Sequence, residues 1–177
     1  MRHVWIINPH AGKRDQTARM YAMADALRWR HGLECQCLLT DRPGGAGEMA
    51  RRLAESGGAV RIYACGGDGT IHEVAGGIAG FDNAAMTSIP AGTGNDFLKN
   101  FGPDAEKFSD AENLWDGPEF PLDLIECNGR YCLTIACNGI DAQVADSVHR
   151  ITDASPLRGR GSYLASVAVN FLFRDLG

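Results

Sequence analysis

Apolar positions along the first hundred residues follow two alternating periods. Residues 3–7, with Val4, Trp5, Ile6 and Ile7, form a short continuous apolar run that reads as a buried strand. From residue 16 to residue 30 the period lengthens. Met20, Met23, Ala24 and Leu27 stand at i, i+3, i+4 and i+7, which predicts a helix, and Gly32 is placed to stop it. Residues 34–39 read as a second strand. Met49, Ala50, Leu53 and Ala54 mark a second helix ended by Gly57-Gly58. Residues 60–65 form a third strand, Ile71, Val74, Ala75 and Ile78 lie on one face of a third helix, and residues 86–89 form a fourth strand. This alternation implies an α/β fold with a parallel sheet and helices on both faces.

The pattern changes near residue 102. Residues 103–121 are acidic, carry Pro103, Pro118 and Pro121, and read as a connector with one short helix. Two apolar runs then flank Asn128-Gly129, the strongest short signal for a β-hairpin. The expected division is therefore an α/β domain over residues 1–121, followed by an incomplete β-rich second domain over residues 122–177. A helix is expected over residues 141–150, then a loop with Arg158 and Arg160, then an apolar helix over residues 162–174. One hairpin and two helices are too few to enclose a core.

Composition narrows the function. The 177 residues are 45% hydrophobic and 22% charged, ordinary for a globular protein, and a net charge of −5 argues against nucleic acid as a partner. No stretch approaches the roughly 18 apolar residues of a membrane span. The first residues do not form a signal peptide, so a cytoplasmic location is expected. The six cysteines lack paired metal-ligand spacing and read as reduced thiols.

Three unusual loops follow strands, at residues 8–13, 66–70 and 90–96, and should gather at one sheet edge, where such sheets bind ligands. Gly66-Gly67-Asp68-Gly69-Thr70 is the most telling. Its glycines allow close backbone approach, and the following helix start offers positive partial charge to an anion. Asp68 does not fit passive phosphate binding, since a carboxylate repels phosphate unless a metal ion or a transferable proton is involved. Phosphoryl transfer is the reaction class that uses both.

Asn8-Pro9-x-x-Gly12, Gly66-Gly67-Asp68-Gly69-Thr70 and Pro90-Ala91-Gly92-Thr93-Gly94-Asn95-Asp96-Phe97 occur in the order and spacing of the diacylglycerol kinase catalytic domain, which the chain resembles. That superfamily includes sphingosine and ceramide kinases, with NAD kinases as distant members. Leu122-Asp123-Leu124 and Asn138-Gly139-Ile140-Asp141-Ala142 are similar to later family segments. The resemblance implies ATP with Mg²⁺ and a lipid acceptor, diacylglycerol or a related lipid. It also implies peripheral contact with the inner membrane surface. By position it implies nucleotide contacts from Asn8, Pro9, Gly12, Lys13, Thr40, Gly66, Gly67, Asp68, Gly69, Thr70, Glu73, Gly92, Thr93 and Asn95. Asp68 matches the aspartate nearest the transferred phosphate. Asp68, Asp96 and Asp123 are implied in a magnesium network that also includes Lys13.

These residues also have plainer readings. Thr70-x-x-Glu73 has the form of a capping box. Asp96 could cap a short helix at residues 97–100, Asn8-Pro9 could close a strand, and Thr40 could serve a turn. Lys13 and Asp123 could be solvated surface residues. The third loop favours a lipid kinase over an NAD kinase, and a non-catalytic nucleotide-binding module is the reading from another class. Bacterial lipid kinases of this kind run to roughly 300 residues, so the chain is expected to be a fragment with weak activity of its own. Residues beyond about 122 are then expected to be poorly ordered or buried against a second copy in a homodimer.

Overall fold

The computed structural model describes residues 1–92 and 94–136. Four parallel strands form one sheet in the order β2-β1-β3-β4: β1 Arg2–Ile7, β2 Cys35–Leu39, β3 Val60–Gly66 and β4 Ala84–Pro90. Three helices connect them: α1 Thr17–His31, α2 Gly45–Glu55 and α3 Asp68–Ile78. The strands and helices expected over residues 1–90 all form, with ends within about two residues of the sequence reading.

Side-chain alternation divides the core into two layers. Trp5, Ile7, Tyr63, Cys65 and Ile89 face α1, where Met20, Ala24 and Leu27 meet them. Val4, Ile6, Ile62 and Ala64 face the opposite way, onto Ala46 and Ala50 of α2 and Ile71 and Val74 of α3. β3 is buried along its whole length, as expected of a central parallel strand. Trp5 and Tyr63, partners in the β1–β3 register, stack with ring centroids 4.6 Å apart. α1 ends as its sequence predicts, with Gly32 left-handed at φ +66° and its N–H donating to Arg28 O. Cys35, Cys37, Cys65 and Cys127 are free thiols. Burial pushes the Cys37 thiol up to about 11 and raises Cys35 and Cys65 as well.

α2 and α3 pack backbone to backbone. A Cβ on Gly77 would lie 2.4 Å from Gly47 O, and one on Gly47 would lie 2.9 Å from Glu73 O.

The connector departs from expectation. It forms 3-10 segments over Asp96–Ser109, kinked at Gly102, and over Ala111–Asn113. It then packs onto the α1 layer through Ala111, Leu114 and Trp115. Arg61, a charged residue in the most buried strand, explains the docking. Its guanidinium donates to Leu114 O, Trp115 O and Gly117 O at 2.5–2.9 Å and pairs with Glu119 at 3.1 Å. A buried cation needs such partners, and only a chain segment laid across the strand supplies three carbonyls together.

The hairpin forms as β5 Ile125–Cys127 and β6 Arg130–Cys132, antiparallel, with Asn128 and Gly129 both at positive φ as a two-residue turn of this type requires. The hairpin lies on α3, with Tyr131 over Gly76 and Leu133 against the α2–α3 layer. Residues 1–134 form one compact unit. The Asn138–Ala142 segment, the helices expected over 141–150 and 162–174, and Arg158 and Arg160 lie outside the described residues. Among the described residues no helix is long and apolar enough to cross a membrane.

Two outcomes are expected. Gly77→Ala has no room for its methyl group, so it should destabilise the unit by about 1–3 kcal/mol, read as a lower urea midpoint at unchanged slope. His3, buried with Nδ1 2.9 Å from the Tyr63 hydroxyl, has its pKa lowered from 6.5, first by burial and then by Arg61 and the chain N-terminus. The unfolded chain therefore takes up this proton first. Stability should fall as pH drops below about 6.5, by at most about 1.4 kcal/mol per pH unit from this group. His3→Gln should flatten that slope in denaturation curves between pH 7 and 5.

Candidate functional site

The sheet order reverses direction between β1 and β3, and their C-terminal ends open a crevice. The three glycine-bearing loops meet there through the main chain. Asn8 N donates to Cys65 O at 2.9 Å, while Ala91 N and Gly92 N both donate to Gly66 O at 2.9 and 3.2 Å. Gly12 takes φ +78°, and a Cβ there would lie 2.1 Å from Ala91 O. A Cβ on Gly92 would lie 2.5 Å from the Gly67 Cα, and one on Gly66 would lie 2.2 Å from Thr70 Oγ1. Only glycine allows these approaches. Asn8 joins loop one to α3: its Oδ1 accepts from His10 N at 3.0 Å, and its Nδ2 donates to Thr70 Oγ1 at 3.3 Å.

α3 begins at this junction with Gly67 as its N-cap and no capping side chain. Its first intrahelical bond runs from Ile71 N to Gly67 O. The N–H groups of the first turn therefore have no intrahelical acceptor, and the positive end of the helix dipole faces the crevice. A cleft of about 290 Å³ opens beside it, lined by Asn8, His10, Thr40, Arg42, Thr70 and Glu73 among others. Thr40 is buried at the end of β2, its N–H bonded to Ile7 O at 2.9 Å.

The capping box does not form. Thr70 sits inside the first turn of α3 rather than at its cap, and its hydroxyl serves Asn8. Glu73 points away to α2, where its two oxygens accept from Gly44 N at 2.8 Å and Ala46 N at 3.1 Å.

Asp68 is half-buried at the first helical position. Its Oδ1 accepts from Asp96 N at 2.6 Å, while Oδ2 lies beside Gly94, where a Cβ would come within 2.5 Å of it. Asp96 also pairs with Lys99, and Asn95, not Asp96, holds the cap position of the segment that follows. Asn95 is left-handed at φ 55°, with Nδ2 donating to Gly92 O at 3.0 Å and a buried Oδ1 that has no partner. Lys13 and Asp123 are exposed. Among the described residues no three His, Cys, Asp or Glu side chains are grouped to hold a metal ion, so Asp68, Asp96 and Asp123 do not converge as a ligand set. Thr93 lies outside the described residues.

Sequence reasoning missed Gln16 and Arg19. Gln16 Nε2 donates to Ala91 O at 3.2 Å, and Arg19 donates to Gln16 Oε1, Pro90 O and Ser109 O, which ties the third loop to α1. Their place at the start of the first helix, on the same sheet edge as the loops, was the available signal.

The strand order, the helices on both faces and the glycine loops at the switch point define the α/β fold of diacylglycerol kinase and NAD kinase-like catalytic domains. The chain belongs to the diacylglycerol kinase catalytic domain family, whose model matches residues 2–127. It is 41% identical over 80 residues to the diacylglycerol kinase of Bacillus subtilis strain 168, which covers 44% of this chain and 26% of that protein. It is 31% identical over 154 residues to a Pseudomonas fluorescens protein named "Probable lipid kinase YegS-like", covering 86% of this chain and 50% of that one. A crystal structure of a diacylglycerol kinase from Bacillus anthracis strain Sterne superposes with a TM-score of 0.56 at 25% identity, over 73% of this chain and 47% of that one. The matched relatives carry kinase names, diacylglycerol kinase and probable lipid kinase, and the chain spans between a quarter and a half of the length of these relatives.

The Asp68 carboxylate holds the start of the segment at residue 96 as a cap would. Asp68→Ala should cost about 1 kcal/mol of stability. Asp68→Asn keeps an acceptor oxygen and should stay within about 0.5 kcal/mol of the parent, as read by thermal or urea unfolding.

Proposed function

We propose that this chain supplies the nucleotide-binding part of a lipid kinase, which transfers the γ-phosphate of ATP to the hydroxyl of diacylglycerol or a related lipid. The observation that carries this reading is the uncapped N-terminus of α3, open to a cleft between three loops that only glycine can build. Its open N–H groups and helix dipole suit a polyphosphate. The cleft beside it, with the Thr40 and Thr70 hydroxyls and the Asn8 amide at its wall, suits the rest of a nucleotide. Bound ATP would supply the phosphoryl group. The first-turn N–H groups of residues 67–70 would orient the phosphates and balance charge, the main contributions a protein makes to phosphoryl transfer.

Asp68 stands beside that helix end with Oδ1 engaged and Oδ2 left to accept the proton of the acceptor hydroxyl. Mg²⁺ commonly takes one or two carboxylates from protein and its remaining ligands from phosphates and water. The described residues suit such a nucleotide-borne ion better than a site built by the protein alone. A lipid acceptor places the reaction at a membrane surface, reached by peripheral contact from the cytoplasmic side.

The test has two parts. The 177-residue chain should bind ATP with millimolar or tighter affinity in calorimetry. In the protein that carries these residues, labelled γ-phosphate should pass to diacylglycerol in mixed micelles, and Asp68→Asn should lower kcat by roughly 10²-fold or more while ATP affinity changes far less. Label appearing on NAD instead would replace the lipid reading with that of an NAD kinase. ATP binding without any transfer would leave a nucleotide-binding module.

A further inference from the structure

We infer that Glu73 is a positioning residue that builds one wall of the cleft from behind, and that it sets which end of a nucleotide lies where. The inference rests on the nucleotide reading above. The wall in question is the β2–α2 loop and the first turn of α2, which bring Thr40, Arg42 and Ala46 to the cleft. Gly44, the N-cap of α2, has no side chain to cap with and sits at φ +83°. The cap comes instead from α3, 29 residues further along the chain. Both Glu73 oxygens are engaged, one by Gly44 N at 2.8 Å and the other by Ala46 N at 3.1 Å.

A charged acceptor on the open N–H groups of a helix start is the strongest form of this contact. It acts where α2 and α3 already touch through Gly47 and Gly77, so the loop moves with α3 as one wall.

A consequence for ligand direction follows. Two helix N-termini border the cleft, α2 and α3. The carboxylate of Glu73 neutralises the first, while the second has no capping side chain. An anion therefore finds its open N–H groups at the α3 end, beside Asp68, because Gly44 N and Ala46 N at the α2 end are already taken by Glu73. The phosphates lie against residues 67–70, and the ribose and base lie against Thr40 and the α2 loop. With both oxygens committed to the main chain, Glu73 shapes this wall without holding the nucleotide itself.

The test uses the 177-residue chain with Glu73→Gln, which keeps one acceptor and loses the charge, and Glu73→Ala. Hydrogen exchange should show faster exchange at the Gly44 and Ala46 amides in both variants, more in Ala than in Gln, with the β3 amides unchanged. Calorimetry with ATP should show at least tenfold weaker binding in Glu73→Ala, partly recovered in Glu73→Gln. Inorganic pyrophosphate, which needs only the α3 end, should bind all three proteins within about threefold. The loss should be equal for ATP and for its 2′-deoxy and 3′-deoxy analogues, because a positioning residue does not discriminate between them.

A loss confined to ATP would make Glu73 a direct ribose ligand and overturn the inference. So would unchanged exchange at Gly44 and Ala46, or pyrophosphate binding lost in step with ATP. If the parent chain binds no ATP, the proposed function fails first, and the exchange and pyrophosphate measurements still decide the role of Glu73.

Discussion

The structure depends on main chain meeting main chain at the C-terminal edge of the sheet. Gly67 against Gly92, and Gly12 against Ala91, bring the loops after β1, β3 and β4 closer than any side chain would permit. This is a steric constraint before it is a chemical one. Once the loops are this close, Gly66 O can accept two N–H groups from the third loop and Asn8 can reach Thr70. The contact consumes carbonyls and side chains of the loops but leaves the first-turn N–H groups of α3 facing outward. An anion site is what remains when a helix starts at such a junction without a capping side chain.

The same economy governs the second helix pair. Gly47 and Gly77 let α2 and α3 approach through their backbones, and that proximity brings Glu73 within reach of the α2 N-terminus. Had α2 carried its own Ser, Thr, Asp or Asn cap, the Glu73 carboxylate would have had no buried task and would stand in the cleft as a bare negative charge. The absence of a local cap at Gly44 and the presence of an acidic residue at position 73 are thus two halves of one arrangement. Asp68 behaves similarly toward the segment at residue 96, lending one oxygen to its start while the other stays beside Gly94. Carboxylates near an anion site are tolerable because main-chain N–H groups already neutralise part of their charge.

Much of this was legible in the sequence. Strand and helix periods were clear because each helix buries one stripe and each strand one or two faces, so Met20, Ala24 and Leu27, or Val4 and Ile6, could take few other places. The glycine loops were legible because consecutive glycines after a strand have little other use, and Asn128-Gly129 announced its turn. The partners of polar side chains were not legible. Thr70-x-x-Glu73 matches a capping box letter for letter, yet α3 starts three residues earlier than that motif needs, and Glu73 found N–H groups far away in sequence. Three aspartates read as one metal set did not gather, since Asp123 follows a connector whose path no local pattern fixes. Gln16 and Arg19 looked like ordinary residues of an exposed helix start until the third loop was laid beside them.

Arg61 shows why the connector escaped prediction and what it contributes. An arginine in a strand otherwise built of Val, Ile, Tyr, Ala, Cys and Gly is costly to bury unless its charge is answered. Residues 114–119 answer it with three carbonyls and the Glu119 carboxylate, a contact too long-range for local periodicity to reveal. The result divides the unit into two edges with different physics. The connector edge is closed by a charged side chain satisfied by main-chain oxygens, with His31 stacked on Trp115 at 4.3 Å. The loop edge is closed by glycine contacts and keeps its N–H groups in reserve. A fold that anchors its connector away from the glycine junction can leave that junction unfilled by its own side chains, and this is the condition under which a ligand can supply the missing acceptors.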